Sequence, residues 1–203
     1  MKFEISREAL LKPLTLVTGV VERRQTLPVL SNVLIVVDGD QLALTGTDLE
    51  VELVGRATLP QPGSSGEVTV PARKLMDICK TLPDEASIKF ELDGDRATLK
   101  SGRSRFTLST LPATDFPNVD EGPQQLEFSV AQGTLRHLID RTAIAMAQQD
   151  VRYYLNGMMF QLKQNRIVTV ATDGHRLAMC EAEAELEMDD VKQVIVPRKG
   201  MLI

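Results

Sequence analysis

No apolar run in this sequence approaches the roughly 18 residues of a membrane span, because Lys, Arg, Asp, Glu, Gly or Pro interrupts every window. The opening MKFEISREAL alternates polar and apolar residues and carries Glu4 and Glu8, which excludes a signal peptide. There are only two cysteines, Cys79 and Cys180, far apart in apolar contexts and without CxxC spacing. That argues against a disulfide framework or zinc site and for buried free thiols in a reducing cytoplasm. Two histidines, His137 and His175, separated by nearly forty residues, make a poor metal centre, and no cofactor is expected. Walker A, G-x-G-x-x-G and G-x-S-x-G motifs are all missing, and the Gly63–Gly66 stretch GSSG is too short and poorly placed to cradle phosphate. What remains is a globular composition: 203 residues, 43% hydrophobic and 25% charged, with net charge −5. That length accommodates one large domain or two of about 100 residues each.

The strongest positive signal is an internal repeat at an offset of about 125 residues. FEISREALLKPL (residues 3–14) falls on FSVAQGTLRHLI (128–139), and LSNVLIVVDGDQLALTGTD (30–48) on LNGMMFQLKQNRIVTVATD (155–173). With one residue of drift, VTVPARK (68–74) meets VIVPRKG (194–200). Periodicity predicts a strand at 2–5, then a helix capped by Ser6 carrying apolar residues at Leu10, Leu11, Leu14 and Val17, with Pro13 as a potential bend. A hairpin follows at Asp38-Gly39, then a strand from Glu50 to Ala57, a strand at 68–70 and a helix carrying Leu75, Met76, Cys79 and Leu82. A second Asp-Gly hairpin at Asp93 and the strand SRFTLSTL complete a strand–helix–three-strand unit written twice. The Pro-, Gly- and acid-rich stretch 115–125 reads as a linker. The second copy reaches only the counterpart of about Asp77, so a truncated piece of a longer parent is expected.

Charge is distributed unevenly. Segments 6–24, 72–82, 133–149 and 197–203, expected to be helical or to enter helices, hold 11 Lys and Arg against 4 Asp and Glu. A basic helical face can meet phosphates without reading bases, although an ordinary solvated face has the same pattern. ATDGHRLAM (171–179) contains an Asp two residues before a His. A structural turn is favoured over a catalytic dyad, because Asp-Gly turns tightly, Thr47-Asp48 recurs in the first copy and no nucleophile is at hand. The adjacent Tyr153 and Tyr154, beside Arg152, read either as a base-stacking pair or as an interface or half-buried pair at a helix-to-strand junction.

The strings TLPVLSNVLIVV, LTGTDLEVEL, VPARKLMDICKTLP, SGRSRFTLSTLPATDFP, MAQQDVRYYLNGM, VATDGHRLAM and VIVPRKG together resemble the β sliding clamp of bacterial DNA polymerase III. The resemblance runs through essentially all 203 residues. It implies an α+β DNA-clamp fold, with helices on one face of antiparallel sheets and acidic outer surfaces. Residues 1–120 would be a complete first domain and 121–203 a truncated second, with the third absent. It further implies a non-enzymatic processivity factor that encircles duplex DNA as a head-to-tail homodimer ring. The ring would tether the polymerase III catalytic subunit, clamp loader and other polymerases or repair proteins through short linear motifs, with no membrane partner. By similarity, Arg24, Arg73, Gln149, Tyr153, Tyr154, Arg198 and Lys199 lie near DNA. Leu155, Thr172, Gly174, His175, Arg176 and Leu177 form one wall of the peptide pocket, a better account of TDGHRL than a dyad. Ring closure pairs the first domain of one subunit with the third of the other, and the pocket's second wall lies outside these residues. An isolated protein- or DNA-binding module without ring closure is therefore the alternative expectation, and a hydrolase using Asp173 and His175 a remote one.

Overall fold

A computed structural model of the chain describes residues 1–21, 27–117 and 126–202. The chain divides into two compact units, Met1–Asp120 and Glu121–Ile203. The first runs β1 (Lys2–Ser6), α1 (Arg7–Thr18), β2 (Asn32–Asp38), β3 (Gln41–Thr47), β4 (Glu52–Thr58), β5 (Gly66–Pro71), α2 (Ala72–Thr81), β6 (Ser87–Asp93), β7 (Arg96–Ser101) and β8 (Ser104–Ser109). This is the strand–helix–three-strand pattern written twice, but the halves do not form separate sheets. The antiparallel sheets have the orders β1-β6-β7-β8 and β4-β3-β2-β5. Each half therefore lends its first strand to the other half's sheet, and neither sheet can be completed alone.

Local chemistry explains the elements. In β2, Val33, Ile35 and Val37 are buried while the residues between them are less so, the period-2 signature of a strand with one face on a core. Gly39 at φ +58° and Gly94 at φ +57° supply the left-handed backbone of the two hairpin turns. At the start of α1 the Ser6 hydroxyl accepts the Ala9 N–H at 3.3 Å, and Leu10, Leu14 and Val17 form the buried stripe. The helix runs unbroken through Pro13, which is buried against β4. A Cβ built on Gly55 would stand 2.6 Å from the Pro13 Cβ, so glycine is what lets the strand approach the proline ring. Both helices and both sheets feed one hydrophobic cluster. Phe3 and Phe90 face each other in the β1–β6 register, their rings stacked at 4.9 Å.

The second unit runs α3 (Gln132–Thr142), β9 (Gly157–Lys163), β10 (Arg166–Thr172), β11 (Leu177–Glu183), β12 (Lys192–Pro197) and α4 (Arg198–Leu202). Its sheet, β11-β10-β9-β12, repeats β4-β3-β2-β5 strand for strand, with Asn165 at φ +56° in the β9–β10 turn. The core gathers Leu138, Met146, Met158, Phe160 and Ile167.

Four sequence expectations are corrected. Residues 126–131, aligned with β1, form no strand, because β1 depends on β6 and the described residues of the second unit hold no counterpart of β6. Phe128 is accordingly 39% exposed where Phe3 is 4%. The helix expected over 133–149 stops at Thr142: a 3-10 turn, Ala143–Ala145, follows, and the Ala147 N–H turns away to the Leu155 carbonyl at 3.0 Å. The first linker residues, 115 and 116, belong to the first unit, where a 3-10 turn ends and Phe116 is buried; residues 118–125 lie outside the described residues. Cys79 is buried, its thiol pushed up to about 11 by desolvation, but Cys180 is only partly buried on the edge strand β11.

The strand exchange predicts different costs at the two aligned phenylalanines. Phe3→Ala should destabilise the first unit by about 3–5 kcal/mol, whereas Phe128→Ala should cost the second under about 1 kcal/mol. Urea unfolding followed by NMR signals of each unit measures both, and equal costs would contradict the pairing.

Candidate functional site

In the second unit, strand register brings four chain segments to one end of the sheet. β12 pairs with β9 up to Pro197↔Gly157, and β10 pairs with β11 up to Thr172↔Leu177. The 3-10 turn Tyr153–Asn156, which leads into β9, therefore stands beside the entry of α4, and the β10–β11 loop lies at the same end. The candidates Tyr153, Tyr154, Leu155, Thr172, Gly174, His175, Arg176, Leu177, Arg198 and Lys199 all fall at this end. Gln149 is held close by the Ala147–Leu155 hydrogen bond.

The TDGHR loop is a self-bonded turn. Thr172 Oγ1 donates to the Arg176 carbonyl at 2.7 Å and accepts the Gly174 N–H at 3.1 Å. Asp173 Oδ1 accepts the backbone N–H groups of His175 and Arg176, each at 3.0 Å, while the Arg176 guanidinium donates to Oδ2 at 3.0 Å. Backbone bonds from Arg176 and His175, reinforced by the Arg176 side chain, hold the Asp173 carboxyl down at about 2. The first unit builds the same turn from Thr47–Val51: Thr47 Oγ1 donates to the Val51 carbonyl, and Asp48 Oδ1 accepts the N–H groups of Glu50 and Val51. Leu49 at φ +77° stands where Gly174 has φ +88°. A carboxylate committed to capping backbone amides, one of them that of His175 itself, is a turn former. The dyad reading is set aside on that geometry.

Beside this turn lies a second self-bonded loop. Asp150 N–H donates to Asn156 Oδ1, and Asn156 Nδ2 returns a bond to the Asp150 carbonyl, both at 2.9 Å. The Asp150 carboxylate accepts Arg152 Nε at 3.0 Å, Nη2 at 2.9 Å and the Arg152 backbone N–H at 2.8 Å, which holds it down at about 2. In the sequence Arg152 stands out only as a neighbour of the tyrosines. The spacing Asp-x-Arg was the available signal, but its partner across space, Gly174, was not legible. Leu155 is buried yet stands apart from the unit's main hydrophobic cluster, whereas Leu177 is 65% exposed.

The candidates expected near DNA have distinct environments. Tyr153 is 80% exposed and Tyr154 49%, their rings edge-on at 5.9 Å, so Tyr153 presents most of its surface and Tyr154 about half. Gln149 is exposed at φ +58° in a loop rather than on a helix. Arg73 Nη2 donates to the Val21 carbonyl at 3.0 Å, beyond the end of α1. Arg198 Nη1 donates to the Ala143 carbonyl at 3.4 Å, at the end of α3. The two arginines thus do one job in the two copies. Each fixes part of its guanidinium on the neighbouring helix end and, with five donors, retains others. Lys74 is exposed beside Arg73, and Lys199 is half-buried beside Arg198. Arg24 lies outside the described residues.

Not all of the helical charge is available. Arg7 is tied to the Cys79 carbonyl and paired with Asp84, and Arg136 pairs with Asp140 at 3.5 Å. On the exposed face of the β1–β6–β7 sheet, Lys2, Lys89 and Lys100 are paired with Glu4 and Glu91. Among the described residues no group of acidic, His or Cys side chains could hold a metal ion, and no helix is long and apolar enough to cross a membrane.

Antiparallel sheets carrying helices, repeated along the chain, match the fold of solved sliding-clamp subunits. A crystal structure of the DNA polymerase III subunit beta from Pseudomonas aeruginosa superposes with a TM-score of 0.93 at 64% identity, covering 100% of this chain and 55% of that one. Residues 1–120 match the N-terminal domain of the DNA polymerase III beta subunit, and residues 129–203 its central domain. The chain belongs to the DNA polymerase III beta subunit family. It is 66% identical to the beta sliding clamp of Pseudomonas aeruginosa and 52% identical to that of Escherichia coli, each over 202 residues and the whole of this chain. The chain spans about half the length of these relatives, 55% in both cases.

The carboxyl of Asp173 titrates below an unfolded aspartate, so its contribution to the turn is complete above about pH 4 and is lost as pH falls toward 2. An NMR titration should place its midpoint near 2, with the Arg176 amide following it, and a midpoint near 4 would contradict the turn. Gln149→Gly should leave thermal stability unchanged or slightly raised, because glycine adopts positive φ without the Cβ penalty. A marked fall in the melting temperature would show that the side chain holds the loop.

Proposed function

We propose that this chain serves in a replication processivity factor, a sliding clamp that encircles duplex DNA without sequence specificity and tethers DNA polymerase III. Residues 1–120 act as the first clamp domain and residues 121–203 as part of the second. Arg24, Arg73, Gln149, Tyr153, Tyr154, Arg198 and Lys199 face DNA. Leu155, Thr172, Gly174, His175, Arg176 and Leu177 form one wall of a docking pocket for short linear motifs of the polymerase, clamp loader and repair proteins. The role is non-catalytic, and the closed ring belongs to a homodimer of subunits with the relatives' full length.

The observation that carries this reading is the repeated helix entry. Strand, proline and a basic pair recur at Val70–Lys74 and Val196–Lys199, with each arginine braced on a carbonyl at the neighbouring helix end. Guanidinium groups oriented in this way meet phosphate oxygens and leave base edges unread, so every register along the duplex has nearly the same energy. Exposed tyrosines beside one of these entries add hydroxyl contacts to phosphate and sugar oxygens that are likewise indifferent to sequence.

Fluorescence anisotropy with two unrelated duplexes tests the proposal. Affinities should be equal on both, and log K should fall linearly with log salt. Arg73→Ala with Arg198→Ala, checked for retained fold by circular dichroism, should flatten that slope by about 0.9 for each phosphate contact removed. A sequence-dependent affinity, or a slope untouched by the double substitution, would overturn it.

A further inference from the structure

The proposed docking wall is assembled from two loops: Leu155 stands on the one that precedes β9, and Thr172–Leu177 on the one between β10 and β11. Internal hydrogen bonds fix the shape of each loop but not the spacing between them. That spacing is bridged where the Arg152 guanidinium lies against Gly174. A Cβ built on Gly174 would fall 3.2 Å from Arg152 Nη2 and 3.3 Å from Nη1, so glycine lets the guanidinium lie closer than a side chain would without a shift of a few tenths of an ångström. The guanidinium is in turn held by two bonds to the Asp150 carboxylate, and Asp150 is anchored by the two reciprocal bonds to Asn156 at the foot of β9.

The repeat shows that the turn itself does not need this support. The first unit makes the same turn with Leu49 at the glycine position, and Leu27 stands where the repeat offset would place Arg152. What is peculiar to the second unit is therefore the cross-loop contact. We infer that Asp150 and Arg152 are a positioning pair that sets the distance between Leu155 and the 172–177 turn. This rests on the peptide-docking reading of that wall. Because the carboxylate neutralises the guanidinium, the pair acts as a spacer and not as a receptor for acidic ligands.

The test uses the isotope-labelled 203-residue chain and a synthetic peptide carrying the linear motif of a polymerase III catalytic subunit. In Arg152→Ala, amide exchange at His175 and Arg176 should rise about fivefold, the effect of losing one ordinary polar contact. Peptide affinity, read from chemical shifts, should weaken by a similar factor. Asp150→Ala combined with Arg152→Ala should be no worse than Arg152→Ala alone, the mark of groups acting as one unit. Arg166→Ala, which removes an exposed ion pair with Glu181 at the far end of the same sheet, should change neither readout. Unchanged exchange in Arg152→Ala overturns the spacer, as does raised exchange with undiminished peptide affinity. Absence of peptide shifts at 155 and 172–177 in the unsubstituted chain instead removes the docking reading, and the exchange data then decide the spacer alone.

Discussion

The exchange of first strands between consecutive halves is the constraint on which the rest of the structure depends. β5 opens the second half of the first unit but pairs with β2 in the sheet of the first half; β12 does the same with β9. Antiparallel pairing fixes where the borrowed strand must end: Pro71 opposite Asn32, and Pro197 opposite Gly157. The helix that follows each proline therefore starts at the mouth of the preceding half, beside the end of that half's own helix. Proline, which lacks an N–H and has a fixed φ, is well suited to this junction between ladder and helix. The guanidinium one or two residues later then falls within reach of a carbonyl at or just beyond the end of the neighbouring helix, Ala143 for Arg198 and Val21 for Arg73. A basic patch that looks like surface decoration in sequence is thus a consequence of sheet register.

Much of this was legible from the residues. Alternating apolar runs, Asp-Gly turns and the capping serine defined the elements of the first unit, because each signal acts within a few residues. The offset of about 125 residues carried those assignments to the second unit. Strand exchange was not legible: whether β1 pairs within its own half or with β6 leaves the same period-2 pattern. Phe128 shows the consequence. Its local sequence matches Phe3, but a strand needs a neighbour, and pairing is non-local information. The helix expected through Gln149 failed for a related reason. Its last residues are claimed by a hydrogen bond from Ala147 to Leu155, across a loop whose path no periodicity describes.

The site divides along the same line. Thr-Asp at the end of β3 and β10 was visible as a repeated pair, and both aspartates cap the turn amides as short polar side chains do. The arginines were visible as charges, but not as charges with one arm already anchored. The Asp150–Arg152–Gly174 contact was invisible, since it joins loops about twenty residues apart through the absence of a side chain. Glycine in a turn is usually read for its φ, and here close approach is an equal reason. The first unit, which places leucine at the same backbone angle, separates the two explanations.

The central claim is that the register of the exchanged strands aims two equivalent helix entries at the same kind of ligand, the phosphate backbone of a duplex. Chemical-shift mapping of the labelled chain with an unspecific DNA duplex tests this most directly. Shifts are predicted at Arg73 and Lys74, at Arg198 and Lys199, and at Tyr153 and Tyr154. The ion-paired sheet residues Lys89, Lys100 and Arg166 should stay silent. Shifts concentrated on those sheet residues, with both helix entries unmoved, would contradict the account.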